Sequence, residues 1–150
     1  MAEILAVCIS EKKGEQKHPV DQVELKENWG IVGDAHAGNW HRQVSLLGQE
    51  SVDKLQSKIT HVTLKPGDFA ENILVKGITL YELPVGTRLK IGPEAVGNGR
   101  SRITYSLLPN RPPSVVVWCR VMYPAFSSSR MVVRMASLLS LLIWASPARV

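Results

Sequence analysis

Pro66-Gly67-Asp68-Phe69-Ala70-Glu71-Asn72-Ile73-Leu74-Val75 sets the pattern for residues 2–93: a turn built on proline and glycine, then a short apolar strand. Pro fixes φ and Gly permits positive φ, so the first three residues turn the chain, while Ile73 to Val75 suit a pleated, buried surface. Downstream, Thr79 to Leu83 and Thr87 to Ile91 read as further short strands, separated by Pro84 and Gly86. Upstream, Ala2 to Ile9 is an apolar strand that stops at the charged loop Glu11 to His18, which contains Gly14 and runs into Pro19. Residues 20–26 alternate between apolar and polar, and Gln43 to Leu47 looks like a short buried strand. Only residues 49–58 change period. Val52 and Leu55 are three apart and Ile59 four further on, with Glu50, Asp53, Lys54 and Lys58 on the other face, which predicts one short amphipathic helix. Many short strands and a single helix argue an α+β, mostly β, barrel-like domain.

The 150 residues allow one domain with a real core, and 45% apolar content excludes a disordered chain. No repeat of 20–50 residues is visible. Cys8 and Cys119 lie far apart and form no CxxC or zinc-type cluster. Cys8 sits in the apolar run Ile4 to Ile9 and reads as a small buried hydrophobe. Acidic residues flank that run closely, so it does not read as a signal peptide, and the cytoplasm is the expected location.

Charge divides the chain in two. All 13 acidic residues lie at or before Glu94, where nine Lys and two Arg nearly balance them. Residues 95–150 have no Asp, Glu or Lys but seven Arg and nine Ser, so the net charge of +5 belongs to this tail. Its arginines are scattered singly among apolar residues, without a stripe or aromatic platform, which argues against nucleic acid as a partner. Pro109, Pro112 and Pro113 interrupt any element, although Val115 to Trp118 has strand character. Met131 to Ala145 is apolar apart from Arg134 and two serines, and falls short of the roughly 20 clean apolar residues of a spanning helix. A membrane role is therefore not expected. The tail is expected to be poorly ordered, with at most one helix around Val132 to Ile143.

The residues that carry chemistry lie in the first part. Glycines 30, 33 and 38 let a backbone approach a ligand closely, and exposed N–H groups in such a loop can cradle an anion. His36, His41 and Arg42 add hydrogen-bonding or cationic groups, the arginine with a planar fork suited to phosphate. Alternatively, Asp34 caps a turn and the histidines are polar loop residues. His36 and His41 could also hold a metal with Asp34 or Glu71, although an H-x4-H spacing in a loop is a weak zinc signal, and no metal site is assigned. Asp68 can cap its turn. Glu71 and Asn72 either point into the site or lock the turn by hydrogen bonds. His18 and His61 read as exposed, and Arg88 as a surface residue.

Four segments in order, Gly30-Ile-Val-Gly-Asp34-Ala-His36-Ala-Gly38, His41-Arg42-Gln43-Val44-Ser45-Leu46-Leu47, Pro66 to Ile73 and Leu83 to Gly92, resemble the MOSC domain, named for the C-terminal domain of molybdenum-cofactor sulfurases. The likeness covers residues 2–93 and is greatest to the small stand-alone bacterial members. The resemblance implies a β-barrel-like fold and handling of the molybdenum cofactor (molybdopterin), with sulfur-transfer or reductase chemistry at a reactive cysteine. Molybdenum-ion and pyridoxal-phosphate binding are functions it also brings. The implied partners are the pterin cofactor or a protein of molybdoenzyme assembly. The implied cofactor-binding residues are Gly33, Asp34, His36, His41, Arg42, Glu71 and Asn72, with the first five lining one concave electropositive face.

The family's reactive cysteine lies in a Gly-Lys-x-Cys-His-like stretch after the counterpart of Gly92. Here the chain reads Val96-Gly-Asn-Gly-Arg-Ser-Arg-Ile-Thr-Tyr-Ser-Leu-Leu-Pro109, without cysteine, and Cys119 stands in the unrelated context Val117-Trp-Cys-Arg120. No catalytic residue is assigned. Thiolate chemistry has no substitute among other side chains. The tail's composition points to an out-of-frame translation after Glu94, which would leave strand edges unpaired and stability marginal. Three function classes follow: a cofactor-linked sulfurtransferase or reductase whose activity is in doubt, a non-catalytic module binding the pterin phosphate or an assembly partner, and a membrane-associated protein using Met131 to Trp144.

Overall fold

The computed structural model describes residues 2–26, 28–40, 43–83, 88–89, 102–105, 116–122, 131–134 and 145–146. Its strands are β1 (Glu3–Ile9), β2 (His18–Val20), β3 (Gln22–Lys26), β4 (Gly30–Ile31), β5 (Val44–Gly48), β6 (Ile73–Lys76), β7 (Arg88–Leu89), β8 (Arg102–Tyr105), β9 (Val116–Met122), β10 (Met131–Arg134) and β11 (Ala145–Ser146). One helix, α1 (Gln49–Gln56), follows β5 directly. An eight-stranded sheet has the order β11-β7-β8-β9-β5-β6-β1-β2, and a three-stranded sheet the order β10-β3-β4. This is the expected mostly-β architecture with one helix. The two sheets do not close into a single barrel among the described residues.

The centre of the large sheet is the strand whose pattern is least polar. Every residue of β5 is buried, as a strand covered on both faces requires. It pairs in parallel with β6, Leu46 opposite Ile73 and Leu47 opposite Leu74. A parallel pair needs a crossover, and α1 with the turn at 66–68 supplies it. One face packs Ile4, Val7, Leu25, Ile31, Val44, Leu46 and Ile73 into the main core. The other face packs Ala6, Cys8, Leu47 and Leu74 against Val52 of α1. A register shift in β1 between Ile4 and Ala6, where it pairs with β6, breaks its simple alternation.

Two expectations are corrected. Thr79 to Leu83 is not a strand: Leu80–Glu82 forms a single 3-10 turn, closed by Glu82 N–H and Leu83 N–H on the carbonyls of Thr79 and Leu80. Burial of Leu80 fixes this short run to the core. The helix expected at most around Val132 to Ile143 does not begin at its described start, and residues 135–144 lie outside the described residues. Met131–Arg134 is the strand β10, antiparallel to β3 with Val133 opposite Val23. A β-branched pair of valines in a short run fits a strand beside an alternating partner better than a helix. Likewise β9 covers the edge of β5 that the charge break suggested would stay open, with Leu46 opposite Val117. Pro109, Pro112 and Pro113 lie outside the described residues.

Candidate functional site

The chain leaves β4 through Val32 and turns at Gly33, whose φ is +87° and whose missing Cβ faces open space. The loop is then sewn together by Asp34. Its buried carboxylate takes the ammonium of Lys17 and the amide of Ser10 (3.1 Å) on Oδ1, and the amide of His36 (3.1 Å) on Oδ2. Ala35 N–H returns to the carbonyl of Ser10 at 2.8 Å. The loop is thereby tied to the end of β1 and to the segment before β2. Asp34 Oδ2 also lies 3.8 Å from His36 Nδ1. Burial lowers the His36 pKa first, Lys17 and Lys13 lower it further, and Asp34 opposes them.

The second motif closes in a similar way. Glu71 is fully buried and accepts the amides of Gly67 (2.6 Å) and Phe69 (3.2 Å). Burial raises its pKa, with the backbone amides acting in the opposite direction. Asp68 accepts Lys65 N–H at 2.7 Å and Gln16 Nε2 at 2.5 Å, so it caps its turn as expected. Asn72 accepts from the amide (3.1 Å) and hydroxyl (3.0 Å) of Ser45 through Oδ1, and donates to the carbonyl of Cys8 at 3.0 Å. The side chains of Glu71 and Asn72 therefore lock the turn and join β1, β5 and the start of β6.

Lys17 links the two motifs. Its ammonium is buried on Asp34, while its carbonyl oxygen lies where a Cβ on Gly67 would stand. Nothing in the sequence singled it out. It is one charge among many in the loop Glu11 to His18, and only the fold shows that its side chain turns inward. Gln16, Lys17, His18 and Pro19 also face Lys65, Pro66 and Asp68 across a groove of about 380 Å³.

The structure brings Gly33, Asp34 and His36 together in one loop and places Glu71 and Asn72 in the neighbouring motif. His41 and Arg42 lie outside the described residues. His18 and His61 are exposed, as expected. Among the described residues no three of His, Cys, Asp and Glu stand close enough to hold a metal ion. Asp34 and Glu71, the acids considered for such a site, are occupied by Lys17 and by backbone amides. Cys8 is buried and its thiol is pushed up to about 12, chiefly by burial. The backbone of Cys119 in β9 pairs opposite Val44, the first residue of β5.

A family model described as the MOSC domain matches residues 33–117. The chain belongs to the MOSC domain family. The match begins at the glycine of the Asp34 loop and continues past Glu94, beyond the four motifs read from the sequence. The fold is similar to that of the YuaD protein from Bacillus subtilis, with a TM-score of 0.66 and 16% identity over 90% of this chain and 92% of that one. It is also similar to YiiM from Geobacillus stearothermophilus, with a TM-score of 0.61 and 13% identity over 95% and 75% of the two chains. For YiiM from Escherichia coli the TM-score is 0.60 and the identity 16%, over 100% and 73%. At these identities the likeness is one of fold. No curated protein sequence gave a significant match. No helix among the described residues is long and apolar enough to cross a membrane.

Proposed function

We propose that the loop from Gly33 to Arg42 binds the phosphate of a phosphorylated heterocycle, and that the chain acts as a binding module for the molybdenum cofactor that the family implies. The supporting observation is where the one acid of this loop goes. Asp34, which would repel an anion, is buried and paired with Lys17. The loop is left with the open backbone at Gly33 and the partly exposed His36, and His41 and Arg42 follow in sequence. The amides of Asp34 to Gly38 and of Trp40 are bonded within the fold, so the donors offered to a phosphate are side chains, His36 here and His41 and Arg42 next in sequence. When bound, the cofactor supplies the molybdenum centre. The chain's part is to hold the phosphate. Pyridoxal phosphate offers the same anion, although Lys17, committed to Asp34, is not free to capture it covalently. Titration with inorganic phosphate and pyrophosphate tests the reading. Arg42→Ala should weaken binding at least tenfold, since a charge-assisted contact is worth roughly 1.5–3 kcal/mol. Unchanged affinity would count against it.

One observation favours sulfur transfer as a second reading. The β5–β9 register carries the backbone of Cys119 to the strand that leaves the loop. A thiol-dependent sulfur-transfer assay separates the two readings, because only the binding module works without a reactive cysteine.

A further inference from the structure

We propose that Trp29 and Trp40 form an aromatic subsite beside the loop, which takes the flat ring of a heteroaromatic anion while the loop holds its charged group. The proposal rests on the anion-binding reading above and adds the ring as a recognised element. Trp29, Val32 and Trp40 are 44%, 44% and 39% exposed, so three of the most exposed large apolar side chains of the described residues fall within one short stretch. A cluster of this kind marks a contact surface, whereas scattered apolar residues do not. Trp40 is also held in place. Its indole N–H donates to the His36 carbonyl at 2.8 Å, and its Cδ1 lies 3.6 Å from where a Cβ on Gly38 would stand. The Gly38 amide in turn donates to the Trp29 carbonyl at 2.7 Å. The Trp29 backbone and the Trp40 side chain therefore both lie against Gly38, two residues beyond His36, and the Trp40 ring is the one that a hydrogen bond orients. An aromatic surface whose orientation is already fixed loses little entropy when a ligand stacks on it.

The charge nearby selects an anionic ring. Lys26 stands over the Trp29 ring, 5.5 Å from its centroid. Lys13 adds positive charge near His36, while Lys17 and Asp34 pair with each other and oppose each other there. A polynucleotide is the less suitable aromatic anion, because residues 1–94 carry more acids than bases and offer no basic track for a phosphate backbone.

Equilibrium dialysis of the full chain against pterin-6-carboxylate, inorganic phosphate and a short single-stranded oligonucleotide tests this. The expected result is binding of pterin-6-carboxylate that weakens about tenfold in Trp40→Leu and in Trp29→Leu, the scale of a lost base–aromatic stack. Trp40→Phe should stay within about threefold of the parent, because a ring remains. Tyr81→Leu, which removes an exposed aromatic on a different element, should change nothing. Phosphate binding should be unchanged in Trp29→Leu and Tyr81→Leu, which lie outside the Gly33 to Arg42 loop. If pterin-6-carboxylate binds equally well to Trp40→Leu and Trp29→Leu, the subsite is refuted while the phosphate reading stands. If neither phosphate nor pterin-6-carboxylate binds the parent, both fail. Preferential binding of the oligonucleotide would replace the small ring with nucleic acid and overturn the proposal.

Discussion

The ammonium of Lys17 and the carboxylate of Asp34 form an ion pair with both side chains fully buried. Such a pair is costly to break and inexpensive to replace as a unit. Lys17→Met strands a buried carboxylate and should lower stability by roughly 3–5 kcal/mol. In Lys17→Met/Asp34→Asn no charge is left in the site, so much of that loss should be recovered, although Asn keeps only part of the bonding to Ser10 and His36. Urea denaturation of the two single variants and the double variant gives the coupling directly. Additive losses would show that the pair does not act as a unit.

Gly67 has a φ of +96°, and a side chain there would collide with the Lys17 carbonyl. Gly67→Ala therefore adds backbone strain, roughly 1–3 kcal/mol, to a steric clash that only a shift of the Lys17 segment can relieve. Gly33→Ala is the informative comparison. It carries the same strain at φ +87° but meets open space, so its loss should be smaller. Thermal unfolding of the two variants side by side measures the part due to the contact between the motifs.

His36 should titrate below the ordinary histidine range, with burial the main cause and Lys17 and Lys13 adding to it. The folded chain then binds this proton less well than the unfolded chain. The resulting stability is fully present above the unfolded value near 6.5 and is lost as pH falls through the lower folded pKa. NMR titration of the imidazole should place its midpoint below 6.5, and added phosphate should move it upward if the anion sits beside the ring. A midpoint at or above the ordinary value would contradict the electrostatics of the loop.

The strands were legible wherever apolar runs were bounded by glycine or proline, and β1, β3, β5 and β6 fall where those runs lie. The helix was legible from its change of period. The Leu80 turn was not, because one buried leucine in a short run satisfies either structure. Of the site, Gly33, Asp34 and His36 could be read as one loop. The inward course of Lys17 could not, since a buried lysine resembles a surface one until its partner is known. The same holds for Glu71 and Asn72, whose residue types suit a ligand or a turn equally and whose buried hydrogen bonds are those of the turn. In the tail, β9 and β10 show that an unusual composition does not by itself prevent pairing.

The two cysteines should differ sharply in behaviour. Cys8 is buried between β6 and β2, its backbone bonded to Asn72 and its thiol held near 12. At pH 8 its thiolate fraction is about one part in ten thousand, so iodoacetamide should leave it unmodified until the chain unfolds. Cys119 is set by register opposite Val44, the first residue of β5. If the chain is a binding module, Cys119→Ser should leave phosphate affinity within about twofold, since a thiol contributes little to holding an anion compared with the charge-assisted donors of the loop. The same variant in a thiol-dependent sulfur-transfer assay should match the parent at background. Mass mapping after native-state alkylation and the paired assay together decide the matter. Transfer by the parent that Cys119→Ser abolishes, with phosphate binding intact, would make β9 the carrier of a reactive thiol and replace the binding module with a sulfurtransferase.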